Sequence, residues 1–443
     1  MFNCSEDIAI RGRAPVAYTP YMSETTHTDH NQSDNADLAA DLREAVETIL
    51  PGALHPVPVT DAPHLLRVST PDGDRVIRRW EADATADRIE FTAKALERAA
   101  AAGIDVIPRF MPIPERDGRH ALLLRGRFYT AATWLEGRPF ARYGGYRTPA
   151  GETIDIPMPP ATPSNEVALA AVTALGRFHV ATAGLAESQG SGIPHLSMRD
   201  FLMATQRAWA TNRRILGDRA AGNTEIRRWL RCGNRVMAAG STRLEAASSV
   251  LADTGTVVHH DLWPTHLLVS ADTTSPELTG IAGWSQVTTS SPLLDLANLA
   301  VHVHGWSAEA AENLIGAYHD VAPLSPEERR TLPVIAALDL VTRVARLLHL
   351  AYVDERMIGH ESTPVLRGAI RTLLTSLETL THVLAPPEPK RYQPARTGGG
   401  SRGETGGSRA PVRRPGSSPA RPARTGSADQ SRRLRRQGRP KER

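Results

Sequence analysis

The run VHHDLWPTHLLV, from Val258 to Val269, places three histidines and an aspartate between two short apolar stretches. A carboxylate such as Asp261, held among imidazoles, can orient a hydroxyl group or receive its proton. By residue type, His260, Asp261 and His266 could instead hold a transition metal. The plainest alternative is structural: Asp261 caps its own loop through backbone N–H groups, and His259 shapes that loop. Downstream, the stretch GWSQV approaches the Gly-x-Ser-x-Gly turn that carries a hydrolase nucleophile but lacks the closing glycine, which weighs against hydrolysis. Cations for gripping an anion are nearly all arginines, because the only lysines are Lys94, Lys390 and Lys441. Arg78 and Arg79 sit together in an apolar strand-like run, RVIRRW.

These residues need a frame to hold them. HLLRVST and RVIRRW read as short strands joined by PDGD, a turn signal at hairpin spacing. Helical spacing follows through Ile89, Ala93, Leu96 and Ala100, ending at Gly103, and HALLLRG and RFYTAATWL supply two more strands around Gly126. Beyond about residue 160 the pattern is mostly helical. Ser164 or Asn165 can cap one helix, and Ser325-Pro326-Glu327-Glu328 combines a capping box with proline at the first helical position. A last amphipathic helix runs through Leu366, Ile370, Leu373, Leu377 and Leu380.

Composition divides the chain further. Residues 385–443 hold 16 basic against 4 acidic side chains, and the remaining 36 basic and 44 acidic side chains leave residues 1–384 mildly acidic. That basic tail is rich in Pro, Gly, Ser and Arg and predicts a disordered coil able to contact nucleic acid or an acidic partner electrostatically. Residues 1–36 are polar and aperiodic and predict a disordered segment. Two distant cysteines, Cys4 and Cys232, provide neither a disulfide framework nor a thiolate metal cluster, which fits a reducing, cytoplasmic setting. No run of about 18 apolar residues is long enough to span a membrane, and the N-terminus has no apolar signal core.

The loop His259-His260-Asp261-Leu262-Trp263-Pro264-Thr265-His266 resembles the H-x-D-x-x-x-x-N motif of the aminoglycoside phosphotransferase and choline kinase-like family. The following LLV matches as well, and LTGIAGWSQVTTSSPLLDLANLA resembles the family's second motif. The resemblance spans about residues 55–384. It implies a protein-kinase-like α+β fold of two lobes. The small nucleotide-side lobe, an antiparallel sheet, would cover 37–139, and the larger helical lobe with the catalytic loop 140–384. It also implies ATP and Mg²⁺ as cofactors and a small-molecule substrate. Asp261 falls on the catalytic-base position, His259 on the loop histidine and Asp295 on a structural aspartate. Arg78, or Arg79 in the other register, takes the phosphate-gripping position, paired with Glu90 or otherwise Glu97.

Three departures stand against the motif. His266 replaces the metal-binding Asn, Gly283 replaces the metal-binding Asp, and the segment ALHPVPVTDAPHLL lacks the glycines of a nucleotide loop. Magnesium prefers oxygen donors, so a metal would bind through an altered set such as His266 and a neighbouring carboxylate. Asp253 or Asp272 would supply the missing acid if either reached the cleft. Two functions therefore follow. One is ATP-dependent phosphoryl transfer to a hydroxyl of an aminoglycoside, amino-alcohol or sugar. The other is an impaired family member acting as a ligand-binding or regulatory protein.

Overall fold

Alternating apolar residues in the first third of the chain build a twisted antiparallel sheet. The computed structural model describes residues 33–59, 62–114, 116–141, 143–147, 153–157, 164–185, 195–251, 255–271, 274–303, 305–353 and 363–385. The sheet contains β1 (Leu54–Val59), β2 (Ala62–Thr70), β3 (Gly73–Arg79), β4 (Phe110–Met111), β5 (Leu122–Leu124) and β6 (Arg127–Thr133), in the order β1-β2-β3-β6-β4 with β5 on β6. The hairpin read from PDGD closes at Thr70↔Gly73. Glycine is suited to that turn, because Gly73 sits at φ 104.

Two helices flank this sheet. α1 (Ser33–Ile49) buries Leu42, Ala45, Val46 and Ile49 against Leu66, Val68, Ile77 and Tyr129. Burying side chains of Leu or Ile size is worth about 1.5–3 kcal/mol each, enough to dock a helix that is polar elsewhere. The helix starts inside the segment expected to be disordered, at Ser33 rather than beyond residue 36. α2 (Ala86–Ala101) is capped by Thr85, whose hydroxyl accepts from Arg88 N at 3.2 Å. Phe91, Ala95, Leu96 and Ala99 of α2 belong to the same apolar core as the helical lobe, so this helix ties the two lobes together.

A short strand, β7 (Arg138–Pro139), leads out of the small lobe and pairs with β11 (Leu267–Val269) in the large one. Gly137 makes the crossing possible. It lies at φ 124, and a Cβ there would come within 2.3 Å of Thr279 Oγ1 and 2.7 Å of Val269 O. The large lobe continues with β8 (Tyr143–Arg147), β9 (Thr153–Pro157), α3 (Asn165–Ala181), α4 (Met198–Gly217), α5 (Thr224–Ala246) and α6 (Ser248–Leu251). Then come β10 (Thr256–Val258), β11, β12 (Leu278–Ile281), β13 (Thr288–Ser290), α7 (Leu293–His302), α8 (Ala308–His319), α9 (Pro326–Tyr352) and α10 (Thr363–Leu384). Ser164 caps α3, and the capping box opens α9 as read: Ser325 Oγ accepts from Glu328 N at 3.2 Å while Ser325 N donates to Glu328 Oε2 at 2.6 Å. α9 is the axis of the lobe. It buries Val334, Leu338, Val341, Val344 and Leu348, and its Val341 carbonyl accepts the indole N–H of Trp229 at 2.9 Å.

Two small sheets within this helical mass place the chemistry. β10 pairs with β13 (Val258↔Thr288) and β11 with β12 (Leu267↔Ile281), all antiparallel. The loops 259–266 and 282–287 therefore leave neighbouring strands side by side. The architecture is the α+β, two-lobed arrangement expected. Among the described residues, no helix is long and apolar enough to cross a membrane.

Candidate active-site loop and the cleft above it

Asp295, in the first turn of α7, is fully buried and organises the loop. Its Oδ2 accepts from His259 N and its Oδ1 from His260 N, both at 2.8 Å, and His179 Nε2 lies 3.3 Å from Oδ2. The other ring nitrogen of His179 meets Tyr318 Oη at 2.8 Å. Burial disfavours the ionised form of Asp295, yet His179 and the backbone donors keep its carboxyl below the usual range. This clamp holds His260 at φ 68, a left-handed conformation that is strained for a residue with a Cβ. Asp261 follows directly after this strained residue.

The histidines around Asp261 are held by backbone groups. Burial drives the pKa of His259 down to about 4, so its ring is neutral. It spans the two loops, with Nε2 donating to Ala282 O at 2.7 Å and Nδ1 accepting from Asp261 N at 3.3 Å. Asp261 itself is a carboxylate at neutral pH. Burial opposes its charge, but His266, Arg343 and the indole of Trp263 outweigh that and hold it below its ordinary value. Trp263 Nε1 donates to Asp261 Oδ1 at 2.6 Å. The indole is stacked between His302 (ring centroids 4.3 Å apart) and the Arg343 guanidinium, which lies 4.4 Å from the ring centre and is paired with Asp339. One carboxylate oxygen of Asp261 thus takes the indole N–H.

At the metal position the two sequence departures explain each other sterically. Gly283 adopts φ 82, and a Cβ on it would lie 2.7 Å from His266 Cγ and Nδ1. The imidazole fills the space through which an acidic side chain at position 283 would emerge. His266 Nδ1 donates to Asp261 O at 2.6 Å, and Ala282 N donates to His266 O at 2.7 Å, so the ring is anchored there. No group of three His, Cys, Asp or Glu side chains among the described residues is arranged to hold a metal ion. A buried imidazole already donating one N–H to the backbone is a poor match for Mg²⁺, which prefers oxygen donors. The expectation of His266 as a replacement ligand meets an Nδ1 already engaged with the backbone. Asp253 and Asp272, the acids that would have repaired the set, lie outside the described residues. GWSQV forms a short 3₁₀ turn over Trp284–Gln286 after left-handed Gly283, not a strand-to-helix nucleophile elbow.

The small lobe gives the two expected partners separate contacts. Arg78 and Glu90 do not meet. Arg78 Nη2 donates to Glu81 Oε1 at 2.8 Å, whereas Glu90 accepts from the backbone N–H of His120 (2.7 Å) and Ala121 (3.0 Å) and from His120 Nδ1 (2.9 Å). Glu97, the alternative, lies 3.1 Å from the other nitrogen of His120, an ion pair bent off the hydrogen-bond line. The helical phase explains this: residues 90 and 97 are two turns apart and share the face toward the sheet. Arg88, rotated by about 200° from Glu90 at 3.6 residues per turn, faces the large lobe instead. Its Nη2 donates to Gln286 Oε1 at 2.7 Å and to Ser285 O. Burial lowers the pKa of both His266 and His64, taking His64 to about 4, and the Arg78 charge adds to this in each. Arg79, the neighbour in register, is paired across the sheet with Tyr129. The expected nucleotide loop includes residues 60 and 61, outside the described residues.

A clamped aspartate loop under an antiparallel lobe defines a protein-kinase-like fold. The phosphotransferase enzyme family matches residues 62–333, and the chain belongs to that family. No curated protein sequence matches it. Among solved structures, the aminoglycoside phosphotransferase of Alicyclobacillus acidocaldarius is 15% identical, with a TM-score of 0.53, covering 76% of this chain and 96% of that one. A microcompartment-associated aminopropanol kinase is 16% identical, with a TM-score of 0.49, covering 78% and 97%.

Sequence reasoning missed Arg88, Glu81, His120, Arg343 and His302. Apart from Glu81, which meets Arg78 three residues away, each acts through a partner distant in sequence or through a helical phase set by tertiary packing. Trp263 carried a visible signal, standing two residues after Asp261.

Proposed function

We propose that this phosphotransferase-family chain binds a small hydroxyl-bearing molecule against Asp261 and does not carry out magnesium-dependent transfer of a nucleotide's terminal phosphate. The observation behind this is the His266 ring packed over Gly283, 2.7 Å from where a side chain would begin. In phosphoryl transfer the protein contributes mainly positioning and charge neutralisation. Here Gly283 offers no carboxylate, and among the described residues no three His, Cys, Asp or Glu side chains are grouped to hold the neutralising metal.

The acceptor side supports ligand binding. Asp261 is ionised, its loop is clamped by Asp295, and the Arg343–Trp263–His302 stack makes a rigid wall beside it. A hydroxyl would donate to the Asp261 carboxylate in place of, or beside, the indole. Family membership and the names of the structural neighbours point to the ligand class: an aminoglycoside, an amino-alcohol or a sugar. A second reading, ATP-dependent transfer to that hydroxyl, is favoured by the same intact base and clamp.

One experiment separates them. Full-length protein is incubated with Mg-ATP and a panel of aminoglycosides, amino-alcohols and sugars, following ADP release and the thermal shift from each acceptor alone. Stabilisation by an acceptor that is lost in Asp261→Asn, without ADP release, supports binding. Acceptor-dependent ADP release that disappears in Asp261→Asn replaces the proposal with the second reading.

A further inference from the structure

Away from the aspartate loop, α5 and α10 are joined by a ladder of charged pairs. Glu225, at the start of α5, faces Arg371 of α10 at 3.8 Å. Arg228 then grips Glu378 with both forks of its guanidinium, Nε to Oε1 at 2.9 Å and Nη2 to Oε2 at 2.7 Å. Arg231 adds a looser contact to Glu378 Oε1 at 3.5 Å. These partners hold the Glu378 carboxyl below its ordinary range, Arg228 most strongly. The pairs advance in step along both helices, and residues 228, 231 and 235 share one face of α5. The next rung therefore belongs to Arg235, and one turn beyond Glu378 it should find an acid on α10. That position holds His382 instead. Arg235 Nη2 donates to the carbonyl of Ala385, at the end of α10.

A cavity of about 340 Å³ lies at this incomplete rung, lined by Arg231, Cys232, Arg235, Glu378, Thr381 and His382. Small-molecule sites start at roughly 300 Å³. The charges around it do not balance: Arg228, Arg231 and Arg235 bring three positive charges against the one negative charge of Glu378, leaving two. Cys232 and Thr381 are buried and add no anion. Burial pushes the Cys232 thiol up, so it stays protonated, and the Thr381 hydroxyl donates to Leu377 O at 2.6 Å. The C-terminal end of α10 opposes an anion, but its partial charge of about −0.5 is smaller than the guanidinium surplus. A guanidinium carries five N–H donors in a plane that matches the oxygens of a carboxylate or phosphate. Arg235 spends one of them on Ala385, and Arg231, 68% exposed, can turn toward a ligand.

We propose that this cavity binds a small anionic molecule, whose oxyanion group takes the place of the missing acid between Arg231 and Arg235. The ligand class is an organic acid or a phosphate ester small enough for the cavity. The site is separate from the one at Asp261, since α5 and α10 supply none of the groups described around that aspartate.

The test is calorimetric titration of the full-length chain at low ionic strength with inorganic phosphate and, separately, with succinate. Wild type should bind at least one of them. Preference for phosphate marks phosphate esters as the ligands, and preference for succinate marks organic acids. Arg231→Gln and Arg235→Gln should each weaken binding by about 10-fold or more, the size expected for loss of a charge-assisted hydrogen bond. His382→Asp, at an exposed position, supplies the absent acid and should abolish binding while the chain keeps its cooperative melting transition. That variant separates a filled site from a failure to fold. Absence of binding by both anions overturns the site, as does binding that is unchanged in either arginine variant or in His382→Asp.

Discussion

Replacing Gly283 with alanine probes the packing at the metal position, and its cost is calculable from two sources. The backbone lies at φ 82, where an L-residue costs about 1–2 kcal/mol. The new Cβ would sit 2.7 Å from His266 Cγ and Nδ1, closer than such atoms approach, and the ring cannot retreat without losing its 2.6 Å hydrogen bond to Asp261 O. Overpacking of this kind costs about 1–3 kcal/mol. Gly283→Ala should therefore destabilise by about 2–5 kcal/mol in the His266 background. With His266→Ala already present the steric part vanishes, and the same change should cost only about 1–2 kcal/mol. Urea unfolding of wild type, both single variants and the double variant closes the cycle. The predicted coupling is about 1–3 kcal/mol in favour of the pair. Equal costs for Gly283→Ala in both backgrounds would refute the claim that the imidazole occupies this space.

Other residues yield sharp expectations. Asp295→Asn removes the buried charge that three donors converge on, and should cost about 3–5 kcal/mol in unfolding measurements and abolish acceptor binding at Asp261. His120 lies between Glu90 and Glu97; burial disfavours its charge, but the two acids hold its pKa above the ordinary 6.5. Its contribution to stability is thus fully present below pH 6.5 and lost as pH rises through the folded value, a decline in melting temperature that His120→Gln should flatten. Trp263→Phe keeps an aromatic ring in the stack but removes the 2.6 Å N–H from Asp261. The acid limb of acceptor binding should move to higher pH, because one of the groups that hold the Asp261 carboxyl down is lost.

Local chemistry made part of this legible in the sequence. The aspartate loop stood out as VHHDLWPTHLLV, Asp295 as the acid after a proline, the hairpin as PDGD and the start of α9 as Ser325-Pro326-Glu327-Glu328. Each of these signals is complete within a few residues. The small-lobe ion pair was not legible, because Glu90 could be assigned to Arg78 only by assuming the phase of α2. The buried stripe of Ile89, Ala93 and Leu96 instead turns Glu90 toward His120 and leaves Arg88 to meet Ser285 and Gln286, nearly 200 residues away. The two metal-site departures were visible singly as His266 and Gly283. That one ring occupies the other's side-chain space is a tertiary fact with no trace in spacing. α1 was partly read as disordered because its polar face dominates its composition, while its four buried apolar residues find their partners only across the sheet.

Manganese, a spectroscopic substitute for magnesium, offers the most direct measurement. Electron paramagnetic resonance of Mn²⁺ with ATP is recorded alone, with wild-type protein, and with the double variant His266→Asn plus Gly283→Asp, which restores an oxygen donor set and removes the obstructing ring. Wild type should leave the Mn-ATP spectrum unchanged, while the double variant should broaden it by capturing the ion. Capture of manganese by the wild-type chain would contradict the reading of the metal position as filled and without ligands.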